Sequence, residues 1–128
     1  MVISNRVLVV DDNKTINNFL VEHLKQYGFL PDFACTYETA VALLKRENYE
    51  LIVLDSILNN GKTAIDLLSF IDSSTKIILL ENKSSQSVNK IKNRSKRFDD
   101  FVPRAFKGRE LAIKARALLN AYLPDKII

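Results

Sequence analysis

The stretch YELIVLDS, Tyr49 to Ser56, decides the fold. Leu51, Ile52, Val53 and Leu54 make a short apolar run rich in β-branched residues. Such a run is a strand buried on both faces of a parallel sheet. It stops in Asp55. A carboxylate is costly to bury alone, which places Asp55 at the carboxyl end of the strand. In open α/β sheets that edge is the crevice where ligands bind. A second run repeats the design: Val7, Leu8, Val9 and Val10, then Asp11, Asp12 and Asn13. Two buried strands thus deliver carboxylates to one edge. Three neighbouring acids repel one another unless a cation or a proton joins them. A hard divalent ion with oxygen ligands, most simply Mg²⁺, relieves that repulsion.

Outward from these two strands, helices and strands alternate. Arg6 to Val10 is the first strand, and Asn13 or Thr15 caps a helix carrying Ile16, Phe19, Leu20, Leu24 and Tyr27 on its inner stripe. Gly28 stops that helix. Phe29 to Cys35 is a weaker strand with Pro31 near its start. Thr36 caps a second helix with Tyr37, Ala40, Leu43 and Leu44 inward. After the Asp55 strand comes a polar loop, Ser56 to Lys62, and a helix expected over Thr63 to Ile71. Lys76 to Leu80 is a fourth strand ending in Glu81. The segment from Lys83 to Arg97 has only Val88 and Ile91 at helical spacing and predicts a short helix. Phe101 and Val102 form a fifth strand. Gly108 opens a last helix with Leu111, Ala115, Leu118, Leu119 and Tyr122 inward, ended by Pro124. Five strands joined by crossovers imply an α/β three-layer sandwich with a parallel sheet of order 2-1-3-4-5, the flavodoxin-like arrangement.

With 128 residues, the chain is expected to form a single domain over 1–128. No apolar run approaches the ~20 residues of a membrane span, and the N-terminus has no basic segment followed by an apolar one. The lone Cys35 cannot form an internal disulfide, which fits a cytoplasmic protein. The formal charge is +4, yet nine Lys or Arg and only two acids lie between Lys83 and Arg109, so the remainder is acidic on balance.

These residues resemble the receiver domain of two-component response regulators. The resemblance covers nearly the whole chain and rests on VLVVDDN, YELIVLDS and FDDFVPRAF, with FACTYETAVALL and GRELAIKARALL in support. It implies that Asp55 accepts a phosphoryl group. It also implies that Mg²⁺ (or Mn²⁺) is held by Asp11, Asp12, Asp55 and the backbone carbonyl of Ile57. The chemistry agrees: a carboxylate can attack phosphorus to give an acyl phosphate, provided the anionic charge is neutralised. The implied partners are a histidine kinase or phosphotransfer protein, a downstream effector or output domain, and room for a homodimer. The implied role is that of a signalling switch in a phosphorelay rather than an enzyme.

Departures from that pattern fall near the site. Glu81 stands where a Thr or Ser is usual, Arg104 where a Lys is usual, and Ala105 where a Pro follows it. The aromatic of the fifth strand is Phe101. The loop after Asp55 has Asn59 in place of the usual Pro and looks one residue longer. A carboxylate within ~5 Å of a phosphoryl group costs several kcal/mol at intermediate dielectric unless neutralised or turned away. Arg104 could neutralise Glu81 through a bidentate pair. An alternative reading follows from this: a receiver-like interaction module that works without phosphorylation. A nucleic-acid surface on the basic segment rests on charge alone, has no interleaved aromatic for base stacking, and is not expected. The residue-level alternatives are plainer. The acids could merely cap helices, Glu81 could point to solvent, His23 lies on an outer helix face with no role, and Cys35 is a small core residue.

Overall fold

Strand β3, Leu51–Asp55, is buried along its whole length, and the rest of the molecule is stacked around it. A computed structural model describes residues 5–81, 97–103 and 108–119. The sheet has five strands in the order β2-β1-β3-β4-β5, with β1 Arg6–Val10, β2 Leu30–Ala34, β4 Lys76–Glu81 and β5 Asp100–Pro103. All four pairings are parallel.

Side chains alternate across a strand, and here the alternation divides the core in two. Val7, Val9, Leu51, Val53, Ile78 and Leu80 face α1, Lys14–Gln26, and the last helix, Gly108–Leu119. Leu8, Val10, Ile52, Leu54, Ile77 and Leu79 face α2, Tyr37–Arg46, and α3, Ala64–Leu67. Each fully buried aliphatic side chain contributes about 1.5–3 kcal/mol. The three central strands can therefore be apolar throughout, and polar groups collect at their ends.

The helix boundaries follow from short-range hydrogen bonds. Asn13 caps α1: its Oδ1 accepts from the amides of Thr15 at 2.9 Å and Ile16 at 3.2 Å. Gly28 sits at φ +88° just beyond the helix, a backbone conformation that strains other residues. Thr36 caps α2 by accepting the Thr39 amide at 3.1 Å.

Three expectations need correction. The helix expected over Thr63 to Ile71 is an α-helical stretch only from Ala64 to Leu67; it tightens into a 3-10 turn at Leu68–Phe70, and Ile71 is extended. Phe19, assigned to the inner stripe of α1, is 43% exposed, and the fully buried Asn17 lies inward instead. His23, expected on an outer face with no role, is half-buried and packed: its ring is tilted against Phe19, centroids 4.2 Å apart, and lies so close to Gly108 that a Cβ there would be 2.2 Å from the ring. The basic segment is outside the described residues except for Arg97.

Candidate metal centre

The register of the sheet builds the site. Val10 pairs with Leu54 across β1 and β3, so the next residues, Asp11 and Asp55, stand level at the carboxyl edge. Asp11 is fully buried and Asp55 is 2% exposed, while Asp12 is exposed. One carboxylate oxygen from each of Asp11, Asp12 and Asp55 lies within 4.8 Å of the other two. This donor set of hard oxygens, concentrated negative charge and two buried members fits a hard divalent cation.

Asp11 also has a structural task. Its Oδ1 accepts the Asn13 amide at 2.9 Å, while its own amide donates to the Ala34 carbonyl at 3.2 Å. Asn13 in turn caps α1. Helix capping and a metal centre were competing explanations of these acids; the capping role takes only one oxygen of Asp11, so the two are compatible.

A residue that the sequence reading missed secures this corner. Asn17 donates from Nδ2 to the Asp11 carbonyl at 2.6 Å, and its Nδ2 lies 3.3 Å from the Cys35 sulfur. It ties the ends of β1 and β2 to the first turns of α1. The available signal was an Asn three residues before Leu20 on an otherwise apolar face. Cys35 is half-buried at this corner, not a fully buried core residue.

The loop after Asp55 is closed on itself. Ile57 and Thr63 form an isolated antiparallel bridge, and the Leu58 amide donates to the Lys62 carbonyl at 2.8 Å. Asn60 and Gly61 both have positive φ, +57° and +74°. Leu58 is buried, whereas Ile57, whose carbonyl was expected to bind metal, is 43% exposed. The loop therefore turns one side chain into the core and leaves its neighbour at the surface.

Glu81 ends β4, half-buried, opposite Pro103 of β5. It is thus at the same sheet edge as the acidic trio. Arg104 and Ala105 lie outside the described residues, and so does the expected pairing of Arg104 with Glu81. Phe101 is half-buried against Phe98, ring centroids 6.4 Å apart.

The response regulator receiver domain family matches residues 7–116. The chain belongs to that family. A receiver domain is a signalling module, and the edge-on acidic trio lies within the matched span. Among curated relatives, the transcriptional regulatory protein CpxR of Klebsiella pneumoniae is 32% identical over 91% of this chain, and that of Escherichia coli K12 is 31% identical over the same share. The chain spans about half the length of these two relatives, 50% in each case. The Francisella response regulator 1452 receiver domain superposes with a TM-score of 0.77 at 28% identity, covering 91% of this chain and 97% of the other. A CheY-like receiver domain from Methanospirillum hungatei gives a TM-score of 0.80 at 21% identity, covering 91% and 94%, a likeness of fold. No helix among the described residues is long and apolar enough to cross a membrane.

Proposed function

We propose that residues 1–128 form one receiver domain that accepts a phosphoryl group on Asp55, using Mg²⁺ or Mn²⁺ held by Asp11, Asp12, Asp55 and the Ile57 carbonyl. The observation that carries this is the convergence of the three carboxylates at the carboxyl edge of adjacent strands. The bound ion would supply charge neutralisation for an anionic donor. The chain does the rest. Burial of Asp55 at the end of β3 fixes the direction of its oxygen, and a held nucleophile loses less entropy on reaching phosphorus. That oxygen forms the new bond to phosphorus, the bond to the leaving group breaks, and the product is an acyl phosphate. The donor in this proposal is a histidine kinase or phosphotransfer protein in the cytoplasm. The readout passes to an effector protein, an output domain or a second copy of the chain.

A second reading, a protein-contact module that works without phosphorylation, draws support from Glu81. An acidic side chain ends β4 beside the trio, where a hydroxyl could donate a hydrogen bond to phosphate and an ionised carboxylate cannot.

Incubation with Mg²⁺ and a small phosphodonor, followed by intact mass measurement, separates the two. The expected result is the addition of one phosphoryl mass, abolished by Asp55→Asn. No addition to the wild type favours the second reading, and addition that survives Asp55→Asn moves the acceptor elsewhere.

A further inference from the structure

The loop that leaves Asp55 is fastened to the start of α2 by one side chain. Asn59 accepts the Tyr37 amide on Oδ1 at 2.8 Å and donates from Nδ2 to Glu38 at 3.0 Å. Tyr37 is the first residue of α2, so its amide has no partner within the helix. The grip is two-sided, because the Lys62 ammonium lies 5.1 Å from the centroid of the Tyr37 ring. Between Asn59 and Lys62 the chain passes through two left-handed residues and closes with the Lys62 amide on the Asn59 carbonyl at 3.1 Å. The loop thus clasps Tyr37, by its main chain on one side and by its ring on the other.

We propose that Asn59 is a positioning residue for the phosphoacceptor site: it holds the loop in the conformation that presents Ile57, and so preorganises the metal centre. This rests on the metal reading given above. A loop that is already ordered loses little entropy when a ligand arrives. A loop that samples several conformations weakens apparent affinity by the fraction of time it is competent. Asn59 has this effect because it supplies an acceptor and a donor together, to two consecutive residues of another element. Alanine supplies neither.

The test measures Mg²⁺ affinity by NMR titration and, in metal-free protein, hydrogen exchange of the Leu58 and Lys62 amides. In Asn59→Ala these two amides should exchange faster while the sheet stays protected, and Mg²⁺ should bind about three- to ten-fold more weakly. The double variant Asn59→Asp with Glu38→Gln keeps both hydrogen bonds and the net charge, and it should restore both readouts. Wild-type affinity in Asn59→Ala overturns the positioning role. So does an affinity loss that comes with faster exchange throughout the sheet and resists the double variant, since lost stability then accounts for it. A wild type that gives no Mg²⁺ response overturns the metal reading underneath, a different result from a responding wild type matched by Asn59→Ala.

Discussion

At the scale of single residues, small contacts govern how the helices meet. Gly108 begins the last helix against the His23 ring, and an added Cβ would fall 2.4 Å from Cγ and 2.9 Å from Cβ of that histidine. Those atoms are near the backbone and cannot swing aside. Gly108→Ala should therefore destabilise the domain by about 1–3 kcal/mol through overpacking, less whatever helix propensity returns, up to about 1 kcal/mol. His23→Ala in the same chain should recover most of the loss. Chemical denaturation of the four members of this cycle measures the coupling, and additive effects would show that the contact is not tight. Nothing in the sequence pointed to this pair, because a Gly before a helix has the ordinary reading of a helix start. Asn17 was hidden for a related reason. Apolar spacing marks the inner face of α1, but the carbonyl of Asp11 needs a donor there, and that need appears only once the strand ends are placed. The acids themselves were legible, since two apolar strands both ended in them.

At the scale of elements, the strands were easier to read than the helices. An uninterrupted aliphatic run has one place in this kind of sheet, so β1, β3 and β4 could be assigned from composition. The spacing of Ile65, Leu68 and Phe70 or Ile71 suggested a helix longer than the one present, because a 3-10 turn preserves a similar apolar stripe over so few residues. The opposite edge of the sheet is held by side chains. The Tyr49 hydroxyl donates to Asp32 at 2.7 Å, Arg6 reaches Glu47 at 2.9 Å and Asp32 at 3.6 Å, and its guanidinium lies over the Tyr49 ring at 5.5 Å. Burial, and then the bond to Asp32, raise the Tyr49 pKa well above its ordinary value. The folded state thus keeps a proton that the unfolded chain loses near pH 10. The stability from this group is complete below that pH and declines as pH rises towards the folded value. Tyr49→Phe should cost about 1 kcal/mol at neutral pH and flatten the alkaline decline. Denaturation midpoints from pH 8 to 11 check this; equal slopes in both proteins would assign the decline to other groups.

At the scale of the whole molecule, the phosphorylation proposed for Asp55 should reach the far surface only weakly. Glu81 ends β4 at the site edge, opposite Pro103, two residues beyond the rung where Leu79 pairs with the half-buried Phe101 of β5. A ligand shifts an equilibrium only by its differential affinity for the two states. An ionised carboxylate offers phosphate no donor, so the difference should be small. A phosphate mimic should therefore change hydrogen exchange over residues 83–101 only slightly in the wild type, and more in Glu81→Thr. A wild-type response as large as that of Glu81→Thr would show that another group carries the coupling. The overall architecture and strand order were legible in the sequence. The expected pairing of Arg104 with Glu81 lies outside the described residues.

The level placement of Asp11 and Asp55 also bears on how such a site is inherited. Neighbouring strands stand about 4.8 Å apart in any sheet, an interval set by the peptide hydrogen bond and independent of side chains. Carboxylates that end adjacent strands at the same rung take their separation from that interval. The dimension of the site is therefore supplied by the backbone, and no particular sequence within the strands has to encode it. Substitutions among aliphatic residues can accumulate in β1 and β3, and loops can lengthen, without altering the spacing between the acids. A one-residue insertion or deletion inside either strand is different. It would move one acid off its rung and turn the aliphatic side chains beyond it to the wrong face of the sheet, so that core and site would be lost together.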